Sequence, residues 1–377
     1  ITHVFMSEIP HEGYESIIYH LCKFLKIPVC MTFESLIPKR KYILDDYRLV
    51  PARTKELYNQ WLEKYKNTPI DDIGLSGICK EVYQQWISLK PEKMTPIYMK
   101  GNRLKETFHM RYGETNILRV WYSELGSYYA QVRYEKRYLA KALFEATLSS
   151  IKKIPIVNKR WQYAHPYWKK TIDMRRYYDS IAEKPVAGEQ YIYFALHYQP
   201  EATSNLIAGG VYVDQRIPLR ILSKSLSGGL KVYVKIHPDQ LAFFSGKEHF
   251  KEMAELPNVR LMKENCSTFE LMRDAVAVAS IAGTACWECQ FWGKPAILFG
   301  YSYKNATPLA FSVRTVSECK QAIRQILCNC PKTDQKSLKI FVKLMQDITF
   351  DEDKVGLVYP EIVIKFISGN IRVMSEL

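Results

Sequence analysis

Ser280-Ile-Ala-Gly-Thr-Ala-Cys-Trp-Glu288 decides how the rest of the chain is read. A short apolar run, 275–279, precedes it, and Cys289-Gln-Phe-Trp-Gly-Lys-Pro-Ala-Ile-Leu-Phe-Gly300 follows. That order suits a strand, a turn of small residues, a helix, a tight turn and a second strand. Small residues at 282–284 let backbone come close to a ligand, and the N–H groups that open a helix favour an anion. Glu288 lies four residues after Thr284, so both belong to one helix face. A phosphate at the top of that face and a sugar hydroxyl lower down would suit them. The same pattern also fits a buried strand–helix junction in any α/β domain.

Working outward, strand patterns recur at 191–196, 231–236 and 259–262, separated by helical spacing at 212–226 and 249–255. Ser267, with Glu270 three residues on, reads as a capping box opening another helix. The alternation over 190–300 predicts a parallel sheet with helices on both faces. Loops at the carboxyl ends of its strands then gather along one edge: 198–203, 237–240, 280–284 and 299–303. His237 in that set can donate to a phosphate oxygen, and Pro238 stiffens its loop. Taken alone, His237 also fits a structural histidine, and His165-Pro166 repeats the dipeptide without a strand before it. Glu201 is a carboxylate able to act as general base toward a hydroxyl or as nucleophile at an anomeric carbon. It equally fits a loop carboxylate that caps the next helix. Ser267 and Thr268 complete the candidate ligand-binding set with Ser280, Gly283, Thr284 and Glu288.

The first half opens as another α/β unit, with a strand at 1–6, a helix at 13–25 and a strand at 27–33. His11 and Glu12, in the loop after the first strand, can handle protons or serve only as a helix cap and surface loop. From 52 to 178 the spacing is mostly helical, clearest at 55–64, 73–89 and 116–151, with Gly126 a possible break. Residues 183–189, with Pro185 and Gly188, form the best linker. Helices follow at 316–327 and 334–345, and 359–374 is apolar at helical spacing.

The net charge of +14 is concentrated. Residues 131–180 hold twelve Lys and Arg, including Arg133, Lys136, Arg137, Lys169 and Lys170, against four acids, with Tyr and Trp interleaved. Such a segment attracts polyanions, anionic lipid headgroups or a phosphorylated substrate, or is a solvated helical face. Nine cysteines lie mostly within apolar segments; Cys286-x-x-Cys289 and Cys328-x-Cys330 have no matching second half for a zinc site, so they read as small buried hydrophobes in a reducing compartment. No apolar run approaches the roughly 18 residues that span a bilayer. The chain opens on Ile1, directly in a strand pattern, so a fragment or processed chain is expected. There is no GxGxxG after a strand, and no Walker, GxSxG or HExxH pattern, and Asp45-Asp46 and Asp71-Asp72 are adjacent acidic pairs rather than a nucleotide-sugar metal pair. A metal-independent reaction without a cofactor is therefore expected.

Tyr193-Phe-Ala-Leu-His-Tyr-Gln-Pro-Glu-Ala-Thr203, Val232-Tyr-Val-Lys-Ile-His-Pro-Asp-Gln240, Ser280 to Glu288 and Gly293-Lys-Pro295 together resemble the bacterial capsule and surface polysaccharide glycosyltransferases. The resemblance covers 190–315 and, more loosely, the loop at 9–13. It implies an α/β, GT-B-like fold: two Rossmann-like domains facing a cleft, a helix-rich insertion in the N-terminal half, and a C-terminal helix packing back. The domains expected are an acceptor-side domain at 1–185, a nucleotide-sugar domain at 186–345 and a helical tail at 346–377. His237 and Pro238 match an element that contacts the donor phosphate in related CMP-sugar transferases. Ser280, Gly283 and Thr284 match the turn that cradles phosphate, and Glu288 matches a ribose-binding glutamate. Glu201 falls where capsule Kdo transferases carry a catalytic Asp, a departure that leaves donor sugar and stereochemistry open. The implied partners are a CMP- or UDP-sugar donor, a glycan or lipid-linked acceptor and an anionic inner membrane face, with no nucleic acid. The expected location is cytoplasmic, at most peripheral on that membrane. A nucleotide-sugar epimerase or hydrolase on the same fold is the alternative, and a non-enzymatic polyanion binder ranks below both.

Overall fold

The computed structural model describes residues 1–10, 13–88, 116–131, 139–199, 205–242, 246–329 and 334–351, and the structural statements below concern these. Six strands form one parallel sheet: β4 (Tyr191–Ala195), β5 (Lys231–Lys235), β6 (Val259–Leu261), β7 (Ala277–Ser280), β8 (Ala296–Leu298) and β9 (Ala310–Ser312). Their order is β6-β5-β4-β7-β8-β9. The strands are short apolar runs rather than alternating ones because helices cover both faces. The chain moves outward from β4 to β6 and then returns to the far side of β4 to begin β7. The strand order therefore reverses between β4 and β7, and the crevice beyond their carboxyl ends is where such sheets bind ligands. Register fixes what meets there. Ala195 pairs with Lys235, so His197 and His237 each lie two residues past a matched pair. Phe194 pairs with Ala279, which brings His197 level with Ala282.

A second sheet has the order β1-β2-β3-β10, with β1 (Val4–Met6), β2 (Val29–Glu34), β3 (Arg40–Leu44) and β10 (Phe350–Asp351). Helix Gly13–Phe24 carries the chain from β1 to a parallel β2. β3 and β10 then pair antiparallel, so this sheet is smaller and mixed. The reason is local. Only residues 35–39 separate β2 from β3, too few for a crossover, and Lys39 takes a left-handed φ of 60° to close the turn.

The two sheets are joined by aromatic rings. Trp86, at the end of helix Gly77–Ile87, meets Trp287 at 5.1 Å and Phe291 at 5.4 Å between ring centroids. Tyr42 on β3 meets Tyr303 at 5.6 Å, and Tyr58 on helix Val50–Lys64 meets Phe341 at 5.3 Å. All of these but the tilted Trp86–Phe291 pair are edge-to-face, and such pairs add to the burial they accompany. Helix Gln335–Ile348 runs past the expected domain end at 345, and β10 then completes the smaller mixed sheet. Arg40 secures that return by donating to Thr349 Oγ1 at 2.7 Å and to the Gln346 carbonyl at 2.8 Å. The apolar segment at 359–374 lies outside the described residues.

Contacts divide the chain differently from the expected boundary at 185/186. Described residues within Ile1–Pro96, Ile181–His237 and Lys251–Leu377 form one compact unit, and those within Ile97–Ser180 and Pro238–Phe250 form a second. Both sheets belong to the first unit. The expected linker at 183–189 is docked rather than free. The Glu183 amide donates to the Leu261 carbonyl at 2.7 Å, and Arg260 pairs with Glu183 at 2.5 Å and Glu189 at 3.1 Å.

The second unit, taken by itself, contains helices Ile117–Gln131 and Leu139–Ile181. The first runs through Gly126, so the expected break is absent there; a single interior glycine costs only about 1 kcal/mol. Ser149 and Lys153 donate to Glu124 at 2.8 and 2.5 Å, locking the two helices side by side. The segment after His237 is held from the long helix: the Ala242 amide donates to Thr171 Oγ1 at 3.1 Å, and Arg175 donates to the Gln240 carbonyl at 3.2 Å. No helix among the described residues is long and apolar enough to cross a membrane.

The aromatic joint yields a stability prediction. Trp86→Ala removes a ring that packs on two others and should lower unfolding free energy by about 3–5 kcal/mol in urea titrations. A loss under about 1 kcal/mol would show that the joint is not tightly packed.

Candidate functional site

The exits of β4 and β7 meet through His197. Its Nε2 accepts from the Ala282 amide at 3.1 Å and stands 3.0 Å from Ser280 Oγ, whose hydroxyl donates to the Ala195 carbonyl at 3.1 Å. An N–H donor on Nε2 leaves the imidazole proton on Nδ1. His197 is itself gripped by buried Gln215. The His197 amide donates to Gln215 Oε1 at 2.8 Å, and Gln215 Nε2 donates back to the His197 carbonyl at 3.0 Å. Burial, with the nearby His237 and Lys304, lowers the His197 pKa to about 3. The ring is therefore neutral at ordinary pH.

Gly283 has no room for a side chain. A Cβ there would lie 2.8 Å from Ser280 Oγ and 3.6 Å from His197 Nε2. Thr284 is exposed, and the first helical bonds run from Trp287 and Glu288 to its carbonyl at 2.8 and 2.9 Å. The helix itself, Ala285–Glu288, is one turn long and continues as a 3₁₀ turn, Cys289–Trp292. Gly293, with φ 70°, ends it in the left-handed conformation. A single turn carries little macrodipole, so the N–H groups of the turn and nearby charge must supply most of the attraction for an anion.

Glu288 is partly buried on the inner side of that turn. Removal from water raises its pKa to about 7, against the opposing pull of the Thr284 hydroxyl bond and the Lys304 charge. Lys304, only 6 % exposed, donates from Nζ to the Ala282 carbonyl at 3.0 Å. It comes from a 3₁₀ turn, Tyr303–Ala306, whose cap residues Ser302 and Asn305 close a capping box. His237 is partly exposed, its ring 6.0 Å from that of Tyr198. Pro238 is exposed and begins the segment grouped with the helical unit.

The expected residues thus separate into groups. His237, Ser280, Gly283, Thr284 and Glu288 belong to the β5 and β7 exits of one sheet edge. Ser280 is buried and holds strand exits together rather than facing outward. Ser267 accepts from the Glu270 amide at 3.3 Å as a helix cap. Thr268 accepts from Lys235 Nζ at 3.1 Å and bonds the Tyr193 hydroxyl. Lys169 and Lys170 are exposed on helix Leu139–Ile181 of the second unit. His11, Glu12, Arg133, Lys136, Arg137 and Glu201 lie outside the described residues. Cys286 and Cys289 are buried thiols raised by burial, as are Cys30, Cys79 and Cys319; Cys22 is also buried, while Cys328 is exposed. His197 and Lys304 were not singled out from sequence. The available signal was their position: each stands at a strand exit or one residue past a loop already assigned to the edge.

No protein-family model matches the chain, and no curated protein matches it. Among solved structures, the chain is similar to the β-Kdo 2,4 transferase of Thermosulfurimonas dismutans KpsC at 9% identity, over 90% of this chain and 78% of that one, with a TM-score of 0.38. It is similar to spinosyn rhamnosyltransferase SpnG at 12% identity and TM-score 0.27, and there it spans 46% of the other chain. A UDP-GlcNAc 2-epimerase from Neisseria meningitidis, bound to UDP-GlcNAc, is similar at 13% identity over 60% of this chain and 53% of that one, with TM-score 0.24. The chain itself is α/β, with a doubly wound six-stranded parallel sheet and a smaller mixed one.

Glu288 gives a pH test. Between about 4.5 and 7 the folded chain keeps a proton on Glu288 that the unfolded chain has released. Its contribution to stability therefore falls as pH rises through that window. Glu288→Gln should match the wild-type melting temperature at the acid end and exceed it at the alkaline end, by thermal shift. Parallel curves for the two proteins would show that the carboxyl is not desolvated.

Proposed function

We propose that the chain is a GT-B-type glycosyltransferase of surface polysaccharide assembly, using a CMP- or UDP-activated sugar without a metal or cofactor. One observation carries this reading: at the reversal point between β4 and β7, the Gly283 turn lies beside Glu288, whose raised carboxyl is held by Thr284. A close-approach turn with its own N–H groups suits a donor phosphate. An ionised Glu288 suits ribose hydroxyls, since a carboxylate accepts from two donors at once. His237, with Pro238 fixing its loop, is assigned to the same phosphate. Ser267 and Thr268 shape the neighbouring wall of the site.

The reacting groups are assigned to loops. Glu201, in the exit loop of β4, would take the acceptor hydroxyl proton as general base or attack the anomeric carbon. His11 and Glu12, in the exit loop of β1, are the second source of acid–base groups. Arg133, Lys136, Arg137, Lys169 and Lys170 would hold an anionic or lipid-linked acceptor.

The long helix favours an anionic membrane face as the place where that acceptor is met. Phe144, Leu148 and Ile151 are exposed at i, i+4 and i+7, with Lys152, Lys159 and Arg160 exposed beside them. An apolar stripe flanked by cations lies well in a headgroup boundary.

Two experiments test the reading. Incubation with a panel of CMP- and UDP-sugars plus glycan acceptors, followed by mass spectrometry, should give a glycosylated product. Glu201→Gln should reduce transfer by about 100-fold or more with donor affinity unchanged. Consumption of donor alone at a productive rate would replace transferase by hydrolase or epimerase, and the absence of nucleotide-sugar binding would remove both. In flotation assays the chain should rise with phosphatidylglycerol vesicles and stay behind with phosphatidylcholine, and Phe144→Asp with Ile151→Asp should abolish the difference. Equal recovery with both lipids would remove the membrane assignment.

A further inference from the structure

Ala282 is held at both of its peptide groups by side chains from other strand exits. Its N–H donates to His197 Nε2 at 3.1 Å, and its carbonyl accepts from Lys304 Nζ at 3.0 Å. His197 arrives from beyond β4 and Lys304 from beyond β8. Both holders are themselves fixed, His197 by the two bonds to Gln215 and Lys304 by the capped turn that bears it. The next residue, Gly283, has no space for a Cβ. The direction taken by the Gly283 and Thr284 amides is therefore set by two side chains. Lys304 adds charge as well as geometry. Its ammonium is close enough to act on His197, Cys286 and Glu288, three groups around the turn. With so short a helix behind the turn, this ammonium is the natural counter-charge for a phosphate placed there.

We propose that Lys304 is the cation that gives the 282–284 turn its affinity for the donor's phosphate, and that His197 is the positioning residue that aims the amides of the turn. This rests on the donor-site reading above and names residues that reading does not use. His197 acts as a hydrogen-bond acceptor and exchanges no proton in the reaction. Lys304 acts on binding of the phosphate, so the nucleoside part of the ligand does not sense it.

The test compares nucleosides with nucleotides on the full chain by isothermal titration, using cytidine against CMP and uridine against UMP and UDP. The ratio of the two dissociation constants is the phosphate increment. Lys304→Met should shrink that increment by about 10- to 100-fold, the loss expected for a charged hydrogen bond. Nucleoside affinity should stay within about twofold, and Lys304→Arg should recover most of the increment. His197→Leu should also shrink it, whereas His197→Gln, whose amide oxygen can accept from Ala282, should restore it. An undiminished increment in Lys304→Met overturns the charge assignment. Equal losses for nucleoside and nucleotide, with a lowered melting temperature and no rescue by Arg or Gln, show a purely structural clamp and overturn the proposal. A wild-type chain that binds none of these ligands overturns the donor-site reading itself. A wild type that prefers nucleotides while the variants keep that preference overturns only the present inference.

Discussion

A backbone amide bonded to a neutral imidazole holds the crevice together. The Ala282 N–H needs a lone pair on His197 Nε2, so the ring must stay unprotonated. Burial ensures this, and the neighbouring Lys304 charge reinforces it. Protonation would convert Nε2 from acceptor to donor, face it with an amide donor, and place a second cation near the lysine. The depressed pKa means that this penalty appears only as pH falls below the ordinary histidine range toward about 3. The same burial pushes the carboxyl of Glu288 the other way. One desolvated pocket therefore keeps a base uncharged and an acid half-protonated near neutrality.

That pocket is rigid because the loops around it are packed from behind. Tyr301 and Tyr303 follow β8 and meet Tyr47 and Tyr42, beside and on the smaller mixed sheet, so the turn bearing Lys304 is braced by rings from another part of the chain. Trp287, within the one-turn helix, is clasped by Trp86 and Phe341. The aromatic joint thus performs two tasks with one set of contacts. It unites the sheets into a single unit and supports the back of the turn whose front is open to a ligand.

Much of the six-stranded sheet was legible from residues alone. Runs such as Tyr191–Ala195 and Lys231–Lys235 are too apolar for exposed strands and too short for buried helices, and the punctuation between them allows crossovers. Parallel pairing then places every exit on one edge, which made 280–284 and 237–240 neighbours before any coordinates. How short the helix after the turn is was not legible, because Cys289 to Trp292 continue its apolar spacing while their bonds have already tightened to 3₁₀. β3 was missed because Arg40–Leu44 begins with two cations, yet Lys41 is buried, with its Nζ 3.4 Å from Glu8. The linker at 183–189 looked free because Pro and Gly mark turns, yet its glutamates pair with Arg260.

The sequence by itself determined the sheet, its direction and the identity of the small-residue turn. These follow from local spacing, composition and the geometry of a crossover, which act over a few residues. Only the tertiary structure decided which polar side chains serve the turn. His197 and Lys304 are 107 positions apart in the chain and meet on one residue, Ala282, because strand register and a buried capped loop bring them there. No local pattern encodes that meeting. It depends on which strand lies next to which, and on how deeply each exit is removed from water.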